Sequence, residues 1–259
     1  MKLSGRVAIV TGGGRGIGRA IAIGLAAEGA AVTVSGTARA PLEATAAGIV
    51  ANGGRALALV ADVSDETAVA RMVADSIGLF GRLDILVNNA GIAGPTALAT
   101  EAPTDEWERT LAINLTGAFL CAKHAIPHLI AAGGGRIINI TSVAGKIGYA
   151  LRSAYAASKW GMIGLTRSLA LEVGPQNITV NAIAPGSTRG ERLTHVIRDR
   201  AAVLGRPADE VEQELFLGQN ALRRLVEPEE IAATAVFLAS DEARNITGET
   251  ISVSAGFRL

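Results

Sequence analysis

Tyr155 and Lys159 are the residues whose types and spacing most clearly indicate chemistry. They stand four positions apart in the segment Tyr-Ala-Ala-Ser-Lys, so a helix would present both side chains on one face. A free phenol has a pKa of about 10, and a neighbouring ammonium group favours its ionised form. A tyrosine in this setting could donate a proton to a carbonyl oxygen or accept one from an alcohol.

A glycine-rich turn is the second segment that indicates chemistry. Residues 11–18 read Thr-Gly-Gly-Gly-Arg-Gly-Ile-Gly and follow the first run of strand-forming residues. Glycines let a diphosphate approach the backbone, and the free N–H groups and dipole of the next helix then favour its negative charge. A tight turn without a ligand is the alternative. The position directly after the first strand of a βαβ unit favours a dinucleotide site, which would exchange a hydride with the substrate.

The residues after the second predicted strand bear on which nicotinamide cofactor binds. NAD sites usually place an acidic residue there, whereas NADP sites supply arginine. No Asp or Glu occurs between Ser35 and Glu43, while Arg15, Thr37 and Arg39 could contact a 2′-phosphate. The alternative is that both arginines are merely solvated. The pattern favours NADP(H) over NAD(H).

Strand-forming and helix-forming runs alternate along the chain. The predicted strands are residues 6–10, 31–35, 56–61, 83–88, 136–141, 179–184 and 250–253. The predicted helices are residues 17–28, 41–51, 65–80, 104–132, 155–173 and 228–240, with Ser64 as the expected N-cap of the third. This alternation predicts a Rossmann-like, doubly wound α/β fold, in which a parallel sheet of about seven strands carries helices on both faces.

Residues 187–225 are polar and charged, and they break this rhythm after the sixth predicted strand. Ligands of open α/β sheets bind outside the carboxyl ends of the strands. We therefore expect one dinucleotide-binding oxidoreductase domain over residues 1–259, in which residues 187–225 form an irregular lid over the substrate.

The composition excludes several classes of function. Lys plus Arg and Asp plus Glu number 24 each, so the chain has no electrostatic footprint for nucleic acid or an anionic membrane.

Cys121 is the only cysteine, which fits a reducing compartment, and the N-terminus lacks the apolar stretch of a signal peptide. We expect a cytoplasmic protein. His124 and His128 lack a third ligand, so no metal site is expected.

Seven features together resemble the short-chain dehydrogenase/reductase family over residues 3–256. They are the turn at residues 11–18, Asp62-Val63, Asn88-Asn89-Ala90-Gly91, Asn114, Ser142, the pair Tyr155 and Lys159, and Pro185-Gly186. Within the turn, Gly12, Gly16 and Gly18 give the family's spacing, and Ile17 begins the helix. The resemblance implies a Rossmann-like fold, an NADP(H)- or NAD(H)-dependent alcohol–carbonyl interconversion and a homotetramer.

The resemblance also implies roles for individual residues. Asn114, Ser142, Tyr155 and Lys159 would form the catalytic tetrad, in which Asn114 anchors a relay water and Ser142 orients the substrate oxygen. The other implied contacts are Asp62 and Val63 with the adenine, Asn89, Ala90 and Gly91 with the ribose, and Pro185 and Gly186 with the nicotinamide. Gly190 departs from the family pattern, because many relatives carry threonine there. Thr188 is the expected substitute.

Several alternatives remain open from the sequence. A 3-oxoacyl-thioester (acyl-carrier-protein) reductase, an NAD-dependent alcohol dehydrogenase and a nucleotide-sugar epimerase or dehydratase are enzymatic candidates. An inactive cofactor-sensing module is the non-enzymatic one. Arg152, three residues before Tyr155, is predicted to be a solvated rim residue, with an anionic substrate group as its alternative partner.

Overall fold

The computed structural model describes residues 1–258. A single sheet is formed by β1 (Val7–Thr11), β2 (Ala31–Gly36), β3 (Arg55–Val60), β4 (Ile85–Asn88), β5 (Gly135–Ile140), β6 (Ile178–Pro185) and β7 (Thr250–Val253). All neighbouring strands are parallel, in the order β3-β2-β1-β4-β5-β6-β7. The order reverses between β1 and β4, and the crevice at such a reversal is where open α/β sheets bind ligands.

The connections between the strands are mostly helical. The helices are α1 (Gly16–Ala27), α2 (Arg39–Ala51), α3 (Glu66–Phe80), α4 (Thr104–Leu111), α5 (Gly117–Ala131), α6 (Ser153–Val173), α7 (Glu191–Leu204), α8 (Ala208–Glu212) and α9 (Pro228–Ala239). A π-helical turn, Ala112–Thr116, separates α4 from α5. The predicted helical stretch over residues 104–132 is therefore continuous from Thr104 to Ala131, with this π-helical turn inside it.

Two apolar clusters cover the two faces of the sheet. Ile21 and Leu25 of α1 and Ile231 of α9 belong to one cluster, while Met72 of α3 and Leu129 of α5 belong to the other. β1 and β5 are buried along their whole length, as expected for parallel strands covered on both sides. The predicted doubly wound α/β fold is confirmed.

Two local predictions are wrong. Ser64 is not the N-cap of α3, because Asp65 takes that position and its carboxylate accepts hydrogen bonds from the amides of Thr67 and Ala68. Residues 187–225 are not irregular, since they contain α7 and α8. Ile197, Val211 and Phe216 give this segment a small apolar cluster of its own.

None of the helices formed by residues 1–258 combines the length and the apolar character that crossing a bilayer requires.

Candidate active site

The glycine turn between β1 and α1 is closely packed on one side and open on the other. A Cβ atom at Gly18 would collide with the carbonyl oxygen of Gly12 and with Asn89 Nδ2. At Gly16, φ is +52° and a Cβ atom would meet no atom from other parts of residues 1–258 within 4 Å. Packing therefore requires glycine at position 18, whereas backbone conformation favours it at position 16. The open side leaves room for a diphosphate against the backbone.

The start of α1 is free to bind an anion. Arg15 occupies the N-cap position, and its side chain makes no capping hydrogen bond. Ile17, in the first turn, packs against the apolar cluster beneath it. The first N–H groups of a helix have no partner within the helix, so these amides can bind a negatively charged group.

Hydrogen bonds from Thr11 and Asn89 hold the turn against the end of β4. Thr11 Oγ1 accepts from the amides of Asn89 and Ala90, both at 3.0 Å. Asn89 Nδ2 donates to the carbonyl oxygens of Thr11 at 2.9 Å and Gly12 at 3.2 Å. This network joins two of the predicted cofactor-binding segments and fixes their relative position.

The two arginines predicted to bind a 2′-phosphate are exposed at the carboxyl edge of the sheet. Arg15 Nη1 lies 3.9 Å from Glu191 Oε2, and Arg39 Nη1 lies 3.4 Å from Glu43 Oε1. Thr37, just after β2, is also exposed. Exposed ion pairs contribute only about 0–1 kcal/mol, so either arginine can leave its glutamate for a phosphate at little cost.

Asp62 and Val63 follow β3 and differ in environment. Asp62 is exposed, and its Oδ1 accepts hydrogen bonds from the amide of Ser64 at 2.9 Å and from its hydroxyl at 2.7 Å. Val63 is buried, and its side chain fills the space that a Cβ at Gly117 would need. Ser64 thus orients Asp62 instead of capping α3.

Tyr155 and Lys159 lie on the same face of α6. Lys159 Nζ is 5.7 Å from the centroid of the Tyr155 ring and donates to the carbonyl oxygen of Ile140 at 2.8 Å. Burial, assisted by the positive charge of Arg192, lowers the pKa of Lys159 to about 7. The ammonium group therefore changes its charge near neutral pH, beside the tyrosine.

Asn114 lies in the π-helical turn, and its side chain is engaged with neighbouring segments. Asn114 Oδ1 accepts from the amide of Ile92 at 2.7 Å, while Nδ2 donates to the carbonyl oxygen of Ile92 at 3.0 Å and to Ser158 Oγ at 3.1 Å. A Cβ at Gly91 would lie 3.0 Å from Asn114 Oδ1 and 3.8 Å from Lys159 Nζ. The structure thus brings Asn114, Gly91 and Lys159 together.

Ser142 follows β5 and begins a 3-10 turn, Val143–Gly145. Its Oγ accepts a hydrogen bond from the amide of Ala144 at 3.1 Å. That bond uses an acceptor position and leaves the hydroxyl proton available to a ligand.

The backbone after β6 packs closely before it enters the lid segment. Pro185 ends β6, and a Cβ at Gly186 would lie 2.7 Å from Ser254 Cα, so only glycine fits there. Thr188 Oγ1 donates to the carbonyl oxygen of Gly186 at 3.0 Å, within its own turn. At Gly190 φ is +143°, a value that threonine rarely adopts. A threonine at position 190 would therefore be strained in this backbone conformation.

Arg192 is a site residue that the sequence pattern did not identify. Its Nη2 donates to the carbonyl oxygen of Gly91 at 2.7 Å, so α7 lies across the edge that carries the predicted ribose contacts. Its position two residues after Gly190 is the only sequence signal that could have indicated it.

Arg152 is buried, and the prediction of a solvated rim arginine is wrong. Only 3% of the residue is exposed. Nη1 donates to Thr96 Oγ1 at 2.8 Å, and Nη2 donates to the carbonyl oxygen of Ala93 at 2.9 Å. The guanidinium carbon lies 5.5 Å from the centroid of the Tyr155 ring. Arg152 therefore holds the segment after β4 beside the tyrosine.

Known proteins resemble this chain over nearly its whole length. A family model described as enoyl-(acyl carrier protein) reductase matches residues 12–258. A short-chain dehydrogenase/reductase of Armillaria gallica is 44% identical over 255 residues, which cover 97% of this chain and 95% of the relative. The cis-4-hydroxycyclohexanecarboxylate dehydrogenase of Sinomonas cyclohexanicum is 41% identical over 252 residues, which cover 97% of this chain and 96% of the relative.

A solved structure is also similar to this chain over nearly its whole length. The crystal structure of an NAD+-bound xylitol dehydrogenase matches with a TM-score of 0.96 and 35% sequence identity, over 99% of this chain and 100% of that chain.

Proposed function

Because the chain belongs to the short-chain dehydrogenase/reductase family and interconverts alcohol and carbonyl compounds, we propose that it does so with NADP(H), with Tyr155 as the residue that exchanges the proton. The observation that carries this proposal is the Tyr155–Lys159 pair at the carboxyl edge of the sheet, with Lys159 Nζ 5.7 Å from the tyrosine ring centroid.

Tyr155 and Ser142 act on the substrate oxygen in this mechanism. In reduction, the phenol of Tyr155 donates its proton to the carbonyl oxygen, and in oxidation it takes the proton of the alcohol. The Ser142 hydroxyl, whose Oγ already accepts from Ala144, donates a hydrogen bond that orients the same oxygen. When bound, the nicotinamide ring supplies or accepts the hydride.

Lys159 and Asn114 support the tyrosine. The Lys159 ammonium stabilises negative charge on the phenol oxygen, and its lowered pKa lets it pass a proton on near neutral pH. Asn114 is a positioning residue in this proposal, because both N–H donors of its side chain are engaged by Ile92 and Ser158. Its removal would release the backbone at Ile92, to which it is hydrogen-bonded.

The residues of the carboxyl edge fit a dinucleotide. We assign the diphosphate to Gly12, Gly16, Ile17 and Gly18, the adenine to Asp62 and Val63, the ribose to Asn89, Ala90 and Gly91, and the nicotinamide to Pro185, Gly186 and Thr188. The open space at Gly16 and the uncapped start of α1 support the diphosphate assignment.

NADP(H) is favoured by the side chains around β2. No acidic residue directly follows this strand, while Arg15, Thr37 and Arg39 are exposed beside the turn. Fluorescence titration with NADPH and NADH tests this assignment. We expect the double variant Arg15→Gln/Arg39→Gln to weaken NADPH binding about 10- to 100-fold and leave NADH binding unchanged, because charge-assisted hydrogen bonds contribute about 1.5–3 kcal/mol.

Arg19→Gln is the matched control, since Arg19 is exposed on α1 outside the turn. Equal losses of NADPH and NADH binding in the double variant would overturn the phosphate assignment. NADH selectivity in the unmodified protein would shift the proposal to an NAD-dependent alcohol dehydrogenase, a class that the similar NAD+-bound xylitol dehydrogenase exemplifies. Binding of neither cofactor would favour an inactive module.

A 3-oxoacyl-thioester reductase is the second candidate function. It is favoured by the similarity of this chain to the 3-oxoacyl-[acyl-carrier-protein] reductase of Synechocystis, which is 39% identical over 256 residues. Turnover of acyl thioesters at rates above those of simple ketones would select this candidate.

We also propose that residues 1–259 form one domain, in which residues 187–225 cover the substrate. We further propose that the protein is cytoplasmic and forms a homotetramer. The single, buried Cys121 supports a reducing compartment. Phe119 on α5 and Trp160 and Leu171 on α6 are large exposed apolar residues that an interface would bury. Light scattering coupled to size-exclusion chromatography measures the assembly directly.

A further inference from the structure

Arg152 is a buried cation with unused hydrogen-bond donors. It is 3% exposed, and the only hydrogen bonds of its side chain within residues 1–258 are those to Thr96 and Ala93. Its Nε is buried without a hydrogen-bond partner among these residues. A guanidinium has five N–H donors, so three remain unused. Burial of a charged group without a matching anion is unfavourable, which indicates a missing partner.

Arg200, on α7 of the lid segment, is only partly buried, but it also has an unused hydrogen-bond donor. Its Nε is also buried without a partner among residues 1–258. The guanidinium carbon lies 5.3 Å from the centroid of the Tyr149 ring, and Tyr149 is in the same connection between β5 and α6 as Arg152. The two arginines thus approach this connection from opposite elements, one at the start of α6 and one on the lid.

Charges from both elements act on Arg152. Burial lowers the pKa of Arg152, Tyr149, Tyr155 and Asp199 raise it, and the positive charge of Arg200 lowers it further. Asp199 is the one carboxylate in this set, and it is exposed. Among residues 1–258, neither Arg152 nor Arg200 has a carboxylate oxygen within 4.0 Å of its guanidinium nitrogens.

We propose that Arg152 and Arg200 form a subsite that binds a carboxylate of the substrate, so that the enzyme acts on hydroxy acids and keto acids. The proposal rests on the proposed function, because it places this carboxylate next to the oxygen that Tyr155 protonates. The Arg152 guanidinium carbon is 5.5 Å from the Tyr155 ring centroid, which allows one small molecule to contact both residues. The unused N–H groups match the acceptor geometry of a carboxylate.

This subsite also distinguishes between substrate classes. A neutral thioester group offers no negative charge to the two guanidinium groups, whereas a free carboxylate does. The arginine pair therefore favours small acids over acyl thioesters. Because Arg200 belongs to the lid segment, binding of a carboxylate would also draw α7 towards α6.

The test measures binding of benzoate and benzamide to the full-length enzyme by isothermal titration calorimetry in the presence of NADP+. Benzamide has the same shape without the charge. We expect the unmodified protein to bind benzoate at least about 10-fold more tightly than benzamide, a difference of about 1.4 kcal/mol. Arg200→Gln should weaken this preference, because only Arg152 then attracts the carboxylate, whereas Arg198→Gln, at an exposed arginine on the same helix, should leave it unchanged.

Arg200 is the residue to vary because Arg152 also holds the segment after β4, and its loss would disturb the fold. Equal affinity for benzoate and benzamide, or a preference that is undiminished in Arg200→Gln, would overturn the proposal. The proposed function is measured separately, through turnover of keto acids and of neutral ketones. Absent turnover with charge-selective benzoate binding would contradict the proposed function and leave the subsite in place. Normal ketone turnover without charge-selective benzoate binding would overturn the subsite and leave the proposed function in place.

Discussion

Replacement of Lys159 by methionine should stabilise the fold while it abolishes turnover. Lys159 is 4% exposed, and its ammonium group has a single protein partner within the described residues, the carbonyl oxygen of Ile140. Methionine has a similar length and fills the same space without a charge. The variant therefore removes a buried cation from the protein and retains most of its packing.

The magnitude follows from the pKa of Lys159, which falls from 10.5 to about 7 on folding. Each pH unit corresponds to about 1.4 kcal/mol, so the charged lysine lowers the stability of the folded state by up to about 5 kcal/mol. This loss of stability has its full size below pH 7, where Lys159 is charged in both the folded and the unfolded state. It decreases between about pH 7 and pH 10.5, because the unfolded chain alone still binds the proton.

The lost hydrogen bond to Ile140 costs about 1 kcal/mol, so Lys159→Met should gain about 2–4 kcal/mol in the free energy of unfolding at pH 6. The gain should disappear near pH 10. Urea denaturation monitored by circular dichroism at several pH values, at one protein concentration, measures it. Lys146→Met, at an exposed lysine, is the matched control and should show no such pH dependence. A destabilised Lys159→Met at pH 6, or a gain that does not change with pH, would refute the reasoning.

Three other predictions concern the turn, the core and the thiol. Gly18→Ala should weaken NADPH binding at least about 10-fold in a fluorescence titration, because the new methyl group meets the carbonyl of Gly12; unchanged affinity would contradict the packing argument. Asp84→Ala should lower the free energy of unfolding by about 2–4 kcal/mol in urea, since this buried carboxylate accepts from the amide of Val7; a loss below about 1 kcal/mol would be inconsistent with that role. Cys121 should resist iodoacetamide at pH 8 in the folded protein, because burial raises the pKa of its thiol to about 12; rapid labelling would argue against this environment.

The fold class and the glycine turn were predictable because their signals are local. Strand-forming runs separated by helical runs determine a parallel sheet, whatever the details of packing. The spacing of Gly12, Gly16 and Gly18 reflects contacts within the turn, and the spacing of Tyr155 and Lys159 reflects one helix face. Both can be recognised without knowledge of the rest of the chain.

Features that depend on distant segments were not predictable. Arg152 is buried because residues 93 and 96, far away in the sequence, accept its hydrogen bonds. Asn114 lies in a π-helical turn that no local propensity indicates, and its partners Ile92 and Ser158 come from two other segments.

The lid segment shows a different limitation. Its many charged residues favoured an irregular loop, although Leu193, Ile197 and Ala201 recur every four positions and face the small cluster of the lid. This periodicity was a signal for α7 that the charge density obscured. The capping of α3 by Asp65 instead of Ser64 is a shift of one residue, within the ordinary uncertainty of helix ends.

The proposed mechanism depends on Tyr155 as the residue that exchanges the proton, and the Tyr155→Phe variant tests this role most directly. Its rate of ketone reduction with the preferred cofactor should be compared with that of the unmodified protein, beside a fluorescence titration of the same cofactor. We expect turnover to fall at least about 1,000-fold while cofactor affinity changes less than about twofold, because only the proton donor is lost. A variant that retains most of its turnover would show that another group exchanges the proton, and the account of this site would be wrong.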